Sequence, residues 1–329
     1  MAQSKNISHL KTWLQGIDRD SRWCILISAD PDALASALAL KTLMTRRAQS
    51  ARIARVNDVT RPDNLAMIRH LRIPVEAWHP EMRQEFTHFA MVDSQPHHHP
   101  AFADLPFSAV IDHHPLNGDF PVVAEYVDIR PHMGATSTIM TRYLRALRKR
   151  PGRRLSTALL YGIRTDTAAF ERSGGADDLQ AYQWLSQHAD TSVLRRIMRS
   201  EYLPEWLPLF SRAFQSLQEC RGRGRHTYVG RVDSGDQLVA IADFFTRVHG
   251  LKWVAVSGVC GSTVIVIFRG DGSRHMGRLA DACFFDVGSG GGHGALARAE
   301  FPLDAVGSES VRVFIHTRLQ TRKLRAATA

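Results

Sequence analysis

The amino-acid sequence predicts an α/β protein with a parallel-sheet domain followed by a smaller α/β domain. In the first half, short apolar runs alternate with segments of helical periodicity, which favours a parallel sheet with helices on both faces. The segment 221–225 is rich in glycine and arginine and indicates a boundary, after which a second α/β pattern begins. We therefore expect a first domain over 1–200, a connector over 201–225 and a second domain over 226–329.

Each predicted strand of the first half lies next to a predicted helix. The strands are expected over 23–27, 53–56, 89–92 and 109–111. The helices are expected over 33–48, 62–71, 136–147 and 155–163. Pro62 suits the first turn of its helix, because proline lacks an amide hydrogen that this position would leave unpaired.

The second half repeats the mixture of strands and helices after the break at 221–225. Strands are expected over 227–232, 253–259 and 264–268, and helices over 238–248 and 276–285. Residues 288–294 contain five glycines, which predict either a flexible turn or a loop whose backbone approaches a ligand closely.

Composition limits the classes of protein that the chain can represent. Lys and Arg number 42 against 32 Asp and Glu, and this net charge of +10 favours polyanionic partners such as nucleotides. No apolar run approaches the roughly 18 residues of a membrane-spanning helix, so we expect no membrane partner. The N-terminal residues lack the apolar core of a secretory signal, and the four cysteines are far apart. We expect a cytoplasmic protein with reduced thiols.

Carboxylates and histidines follow the predicted strands where each strand ends. These residues are Asp30, Asp32, Asp93, Asp112, His113 and His114, with Asp166 just after a later helix. The carboxyl ends of strands in an open α/β sheet meet at one crevice, so we expect these side chains to lie together. Two carboxylates 4 Å apart repel by about 4 kcal/mol at an effective dielectric near 20, which favours a cation between them. Aspartate and histidine suit Mn²⁺ or Mg²⁺. The alternative, that each aspartate caps a helix or turn, leaves the adjacent histidines unexplained.

Six short motifs occur in a fixed order along the chain. They are DPDALAS at 30–36, VD at 92–93, IDHHP at 111–115, GATST at 134–138, GIRTDT at 162–167 and GGGH at 290–293. Together they resemble the motifs of the DHH phosphoesterases that carry a DHH-associated C-terminal domain, a group that includes oligoribonucleases, nanoRNases and phosphoadenosine-phosphate phosphatases. The resemblance spans residues 20–305 and implies an active site in a cleft between the two domains.

The resemblance also implies roles for individual residues. The implied metal ligands are Asp30, Asp32, Asp93, His113 and Asp166, with Asp93 bridging two ions. The implied catalytic pair has Asp112 orienting the ring of His113 and His114 facing the scissile phosphate. The implied substrate-binding residues are Thr136, Ser137, Arg269, Gly290, Gly291, Gly292 and His293.

One position departs from the motifs that the chain resembles. Many relatives acting on short substrates have a histidine four residues before the first aspartate, and here that residue is Leu26. We therefore expect two ions of Mn²⁺ or Mg²⁺, one of which is held weakly and is completed by water or substrate.

The resemblance implies a metal-dependent phosphodiesterase or phosphatase for short nucleotides. Expected substrates are di- to oligoribonucleotides, linear dinucleotides or 3′-phosphoadenosine 5′-phosphate, and the sequence leaves open whether the chain forms a homodimer. The alternatives are a polyphosphate or pyrophosphate hydrolase, and a non-catalytic nucleotide-binding regulatory protein, which the loss of histidine at Leu26 favours.

Two local features leave alternatives open at the level of sequence. The three histidines at 97–99 either line the cleft and chelate metal or form a solvated loop. The hydroxyl residues at 136–138 either bind phosphate at a helix N-terminus or serve as ordinary helix caps.

Overall fold

The computed structural model describes residues 2–170 and 175–321, and the chain divides into two compact units, Met1–Ser200 and Glu201–Ala329. The strands of the first unit are β1 (Arg22–Ile27), β2 (Ser50–Arg55), β3 (Val75–Ala77), β4 (His88–Val92), β5 (Phe107–Asp112) and β6 (Tyr126–Ile129). Its helices are α1 (Ala2–Gly16), α2 (Pro31–Met44), α3 (Pro62–His70), α4 (Thr136–Ala146), α5 (Arg153–Asp166), α6 (Ala176–Ser186) and α7 (Thr191–Met198).

The six strands of the first unit form one fully parallel sheet in the order β3-β2-β1-β4-β5-β6. This confirms the α/β class and the parallel sheet that the sequence predicts. The strand order reverses between β1 and β4, and ligands of doubly wound sheets bind at the carboxyl ends of strands beside such a reversal.

Helix α2 lies in the core of the first unit, directly after strand β1. Its residues from Pro31 to Leu40 are all buried, and it packs against β1, α4 and α5. Most of these buried residues are apolar, which places the helix in the core, and Asp32 and Ser36 are its buried polar side chains. Strand β1, which leads into α2, is likewise buried from Trp23 to Ile27.

The second unit contains a separate six-stranded mixed sheet. Its strands are β7 (Gln218–Cys220), β8 (Gly224–Val232), β9 (Trp253–Cys260), β10 (Thr263–Gly270), β11 (Ser289–His293) and β12 (Leu296–Pro302), in the order β11-β12-β10-β9-β8-β7. Its helices are α8 (Leu207–Gln215), α9 (Gly235–Phe245), α10 (Met276–Phe284) and α11 (Val311–Thr321). Helices α10 and α11 cover one apolar cluster, and α8 and α9 cover another.

The segment expected to connect the domains belongs to the second unit in this structure. Helix α8 and the turn before it bury Trp206, Phe210 and Ala213 with side chains of β9 and α9. The glycine- and arginine-rich residues form the turn of the β7–β8 hairpin, where Gly222 and Arg223 have φ of 69° and 56°. A hairpin turn and a linker share the same composition, so the sequence could not separate them.

The glycines at 290–292 form an edge strand rather than a free loop. Strand β11 pairs with β12 and packs on α10. A Cβ at Gly290 would lie 2.8 Å from the carbonyl oxygen of Ala280, and one at Gly292, whose φ is 143°, would lie 2.3 Å from that of Leu296. Close backbone packing therefore requires glycine at 290 and 292, whereas a Cβ at Gly291 would meet no atom within 4 Å. Within the described residues, no helix has both the length and the apolar character needed to cross a membrane.

Candidate metal centre and active site

Four predicted ligands converge at the carboxyl edge of the first sheet. Asp32 follows β1, Asp93 follows β4, His113 follows β5, and Asp166 is the last residue of α5. One ligand atom from each lies within 4.8 Å of the ligand atoms of the other three. We call these four residues the acidic cluster. The parallel sheet brings the three strand ends together, as the sequence predicts, and α5 supplies the fourth side chain.

Asp30 has a different position from the four residues of the cluster. It is the N-cap of α2, and its Oδ1 accepts a hydrogen bond from the amide of Ala33 at 2.8 Å, with Pro31 in the first turn. Asp30 as a whole residue is exposed, whereas Asp32 in the first turn of the helix is fully buried. The capping role that the sequence left open is therefore real for Asp30, and its role as a ligand stays a prediction.

The carboxylate of Asp32 is fixed by the N-terminus of α4. Its Oδ2 accepts from the amide of Thr136 at 2.6 Å and its Oδ1 from the amide of Ser137 at 2.8 Å. A negative charge is favoured at a helix N-terminus, where amide groups lack partners. Burial and the charge of Asp166 nevertheless raise the pKa of Asp32 to about 6.

These contacts correct the expectation that Thr136 and Ser137 bind substrate. Both residues are fully buried, and their amides already bind Asp32. The hydroxyl of Thr136 donates to Oδ1 of Asp93 at 2.8 Å. Thr136 and Ser137 therefore orient two carboxylates of the acidic cluster, because the N-terminus of α4 faces α2 and the end of β4 rather than solvent.

Asp93 carries a strained backbone at the centre of the cluster. Its φ is 59°, in the left-handed region that residues other than glycine seldom adopt. Such strain persists where surrounding structure enforces it and is common at functional sites. Burial, followed by the charges of Asp32, Asp30, Asp166 and Asp112, raises the pKa of Asp93 well above its ordinary value.

The ring of His113 is oriented by a backbone carbonyl, which corrects the expectation that Asp112 orients it. Its Nδ1 donates to the carbonyl oxygen of Met133 at 3.2 Å, so the proton of the neutral ring lies on Nδ1. Its Nε2 then presents a lone pair at 3.0 Å from Oδ2 of Asp166 and 3.5 Å from Oδ1 of Asp93. A lone pair facing carboxylate oxygens requires a proton or a metal cation between them.

In the absence of a cation, a proton on Nε2 of His113 is favoured, and the pKa of this residue is raised accordingly. Burial disfavours its charged form, but the hydrogen bond to Asp166 and the charges of Asp32 and Asp166 outweigh burial and raise the pKa to about 9. The donor set of three carboxylates and one imidazole therefore fits a divalent cation, which would replace this proton.

Asp112 pairs with the second histidine of the motif. Its Oδ1 accepts from Nδ1 of His114 at 2.8 Å and from the backbone amide of His113 at 2.8 Å. Burial alone would raise the pKa of Asp112, but hydrogen bonds from His114 and Gln95 lower it. The same bond outweighs partial burial and raises the pKa of His114. The side chain of His114 is 44% exposed, so its ring can reach a bound molecule.

Gln95 is a residue of this site that the sequence analysis missed. It is fully buried, and its Nε2 donates to Oδ2 of Asp112 at 2.8 Å and lies 3.2 Å from the carbonyl oxygen of His114. Gln95 thus fixes both the carboxylate and the backbone of the pair. Its position two residues after Asp93 was the available signal, because a strand that ends in one site residue places its next residues nearby.

The histidine tract reaches the site through one member. His98 packs edge-on against His114, with ring centroids 5.5 Å apart, and its Nδ1 accepts from the amide of Gln95 at 3.2 Å. His97 instead stacks on Phe120 with centroids 5.0 Å apart. A wholly solvated loop therefore does not describe this tract.

Comparisons with solved structures agree with this architecture. An exopolyphosphatase-related protein from Bacteroides fragilis aligns with a TM-score of 0.75 and 16% identity over 96% of this chain and 95% of that chain. RecJ from Thermus thermophilus, solved in complex with Mn²⁺, aligns with a TM-score of 0.52 and 14% identity over 96% of this chain and 54% of that chain. These proteins are DHH-family members. This chain has the DHH phosphoesterase fold.

A sequence relative extends the comparison without adding a function. The uncharacterized protein MJ1633 of Methanocaldococcus jannaschii is 32% identical over 278 residues, which are 84% of this chain and 57% of that protein. The chain thus spans little more than half the length of this curated relative. No protein-family model matches the chain.

The second unit of this DHH phosphoesterase fold carries the other predicted substrate residues. Nε of Arg269 donates to Oδ1 of Asp243 at 2.6 Å, and the same guanidinium donates to the carbonyl oxygen of Phe268. Arg269 is thus held inside its own unit instead of being a free cation. Gly290, Gly291, Gly292 and His293 lie in β11. Their contact with substrate stays a prediction.

Leu26 is an apolar core residue and offers no metal ligand to the described site. It is fully buried in β1 and packs in an apolar layer with Cys24, Met91 and Val110. The position at which the resemblance implies a histidine is therefore part of the core here.

Proposed function

We propose that this chain is a divalent-metal-dependent phosphoesterase. The observation that carries the proposal is the acidic cluster, in which one ligand atom from each of three carboxylates and one imidazole lies within 4.8 Å of the others. Such a group is costly unless a proton or a cation neutralises it. Oxygen-rich ligand sets with one imidazole suit Mn²⁺ and Mg²⁺.

Neighbouring groups orient most of the side chains that would hold a cation in the acidic cluster. Asp32 and Asp93 are fixed by α4, and His113 is fixed by Met133, so three ligands are oriented before binding. A bound divalent ion supplies Lewis-acid polarisation of a phosphoryl oxygen and activation of water. We propose a second, weaker position that uses Asp30 and Asp93, because Leu26 offers no ligand there. The Mn²⁺ in the RecJ structure supports manganese as the ion.

The pair of His114 and Asp112 supplies proton chemistry in this proposal. Nδ1 of His114 donates its hydrogen to Oδ1 of Asp112, which leaves Nε2 to face a bound phosphate. The raised pKa of His114 favours the imidazolium. That form donates a hydrogen bond to a phosphoryl oxygen or a proton to the leaving oxygen. Gln95 keeps the carboxylate of Asp112 in place for this role.

Short nucleotides are the substrates we propose. The net charge of +10 supports an anionic substrate, and the fold shared with RecJ, described as an exonuclease in a second manganese-bound structure, supports a phosphodiester. Candidates are di- to oligoribonucleotides, linear dinucleotides and 3′-phosphoadenosine 5′-phosphate, with Arg269 and the 290–293 segment proposed to contact the nucleotide. A polyphosphate hydrolase is the second candidate, because the solved structure with a TM-score of 0.75 is exopolyphosphatase-related.

A panel of substrates tests this function directly. Dinucleotides, RNAs of increasing length, phosphoadenosine phosphate, pyrophosphate and polyphosphate are each incubated with Mn²⁺ or Mg²⁺, and products are separated by chromatography. Hydrolysis of short nucleotides that disappears in Asp93→Ala supports the proposal. Release of phosphate from polyphosphate alone would replace it with the second candidate. Metal and nucleotide binding without turnover would identify a regulatory protein.

A further inference from the structure

Two neighbouring cavities open in the first unit around the loop between α4 and α5. One has a volume of about 570 Å³ and the other of about 600 Å³, and Arg150, Pro151 and Gly152 line both. Volumes of roughly 300–1,000 Å³ are typical of small-molecule sites. Helix α5 has 14 residues, so its first turn lies about 20 Å from the acidic cluster at its other end. The cavities are therefore separate from the proposed active site.

The loop that lines these cavities is strongly basic. Six of the ten residues from 145 to 154 are Arg or Lys. We call residues 148–154 the basic loop. Among the described residues, no carboxylate lies within ion-pairing distance of Lys149, Arg150 or Arg154. Two more cations, Arg47 and Arg46, act on this loop. Burial and then their charges lower the pKa of Lys149.

The acidic residue that lines the first cavity is already satisfied. Oδ1 of Asp190 accepts from the amides of Ser192 and Val193, both at 3.0 Å. Arg150 places its Nε 3.3 Å from Nε2 of His188 on the same wall. Asp190 keeps its negative charge, but two cations, Arg150 and Arg153, line the same cavity. The lining therefore carries a net positive charge, which favours an anion as its ligand.

The second cavity combines these cations with an apolar floor. Leu38, Leu144 and Leu155 are all buried and form that floor, while Lys149 and Arg154 stand at its rim. The first amides of α5 add positive potential, since Gly152 at the N-cap provides no side-chain acceptor. No Phe, Tyr or Trp lines either cavity in the described chain. Single-stranded nucleic acids bind surfaces with aromatic stacking platforms, so this lining favours a compact anion.

We propose that the cavities at the basic loop form a second binding site for a compact anion that carries two or more phosphate groups, such as a nucleoside diphosphate or inorganic tripolyphosphate. Arg guanidinium groups bind phosphate oxygens in pairs, Lys supplies a point charge, and the leucine floor accommodates an apolar part of the ligand. The site is independent of hydrolysis at the acidic cluster. It would let a phosphorylated metabolite bind the far end of the helix that carries Asp166.

Calorimetric titration in EDTA tests the site without metal-dependent turnover. The probes are inorganic tripolyphosphate, ADP, adenosine and a single-stranded RNA of about twelve nucleotides. Tripolyphosphate and ADP are expected to bind one per chain, whereas adenosine is not. In the triple variant Lys149→Gln, Arg150→Gln, Arg154→Gln, the dissociation constant is expected to rise about tenfold or more.

A matched triple variant distinguishes binding at these cavities from a general effect of the protein's net charge. Arg19→Gln, Arg69→Gln and Arg83→Gln remove the same charge from exposed positions elsewhere in the first unit, and binding is expected to change by less than about twofold. Asp93→Asn is expected to keep full binding, which distinguishes this site from the acidic cluster. Equal weakening in both triple variants, loss of binding in Asp93→Asn, or saturable binding of the RNA alone would overturn the proposal.

Discussion

The two ends of α5 each concentrate charges of one sign, but carboxylates gather at its C-terminal end and cations at its N-terminal end. At the C-terminal end, Asp166 joins carboxylates that are buried and fixed by neutral donors such as the amides of Thr136 and Ser137. At the N-terminal end, the cations of the basic loop are on long side chains, most of them exposed. Buried, fixed charges are preorganised for one small ion, whereas exposed and adaptable charges suit a larger anion.

The contrast teaches where each end can tolerate change. Removal of one fixed carboxylate leaves the remaining ligands misplaced or unpaired, which is costly in a buried site. Removal of one exposed cation leaves the others free to adjust. The following predictions test the acidic end, beginning with the largest effect.

Asp93→Ala is expected to lower kcat/KM by about three orders of magnitude or more, because this carboxylate faces every other member of the acidic cluster and metal catalysis supplies several kcal/mol. Steady-state hydrolysis with Mn²⁺ measures the loss. Asp104→Ala, which removes an exposed carboxylate of the same unit, serves as the control and is expected to retain activity. Retention of most activity by Asp93→Ala would contradict the assignment.

His114→Ala is expected to lower kcat about 10²- to 10³-fold while the affinity for Mn²⁺ stays within about threefold. The reason is that the proposed mechanism places Nε2 of His114 on the phosphate, with Nδ1 held by Asp112, and leaves the cation to the acidic cluster. Turnover and calorimetric Mn²⁺ titration are compared in the same preparation. Equal losses of turnover and metal affinity would make His114 a ligand.

The stability of the metal-free protein is expected to fall as pH rises from about 6.5 to 9. The pKa of His113 is about 9 in the folded state against 6.5 ordinarily, so the folded state binds the extra proton and its stabilisation is lost across this window. The expected change is about 2–3 kcal/mol, measured by urea unfolding in EDTA. Asp166→Asn removes the carboxylate partner and is expected to flatten the slope. An unchanged free energy of unfolding between pH 6.5 and 9 would refute the pairing.

In the second unit, the pKa of the buried residue His226 is shifted in the opposite direction. Burial, followed by the charges of His316 and Arg312, lowers the pKa of His226 from 6.5 to about 3. The unfolded chain then binds the extra proton, so this contribution to stability is lost as pH falls from about 6.5 toward 3. The pH window above 6.5 therefore isolates His113 from His226.

Gln95→Leu is expected to lower kcat by about 10- to 100-fold with little effect on KM, because Asp112 loses the donor at 2.8 Å that fixes it. The alkaline limb of the pH–rate profile is expected to shift as the pair with His114 loosens. Gln95→Glu serves as the comparison, since it keeps the size but places a second carboxylate beside Asp112. A wild-type pH profile in Gln95→Leu would show that the residue has only a structural role.

The smallest predicted effect concerns the second ion. Mn²⁺ titration of the free protein is expected to show one site about tenfold tighter than the other, because the proposed second position at Asp30 and Asp93 has Leu26 where a nitrogen ligand would complete it. A non-hydrolysable dinucleotide is expected to tighten the weaker site, since coupling between two ligands is reciprocal. Two equally tight sites in the free protein would point to a ligand that compensates for Leu26.

The sequence by itself determined the parallel sheet and the residues at its carboxyl edge. Period and strand–helix alternation depend on neighbours along the chain, and parallel strands necessarily end at the same edge. Asp32, Asp93 and His113 could therefore be predicted together. The DHH motifs added Asp166, whose place at the end of α5 brings it to the same edge.

Only the tertiary structure decided which partner each of these residues has. The amides that hold Asp32 lie more than 100 positions away along the chain, and His113 takes its orientation from Met133. The burial of Thr136 and Ser137 and the hairpin at 221–225 were also beyond sequence pattern. The physical reason is that hydrogen bonds and burial are set by packing between distant segments, whereas sequence pattern reports only local conformation and the side of an element that is apolar.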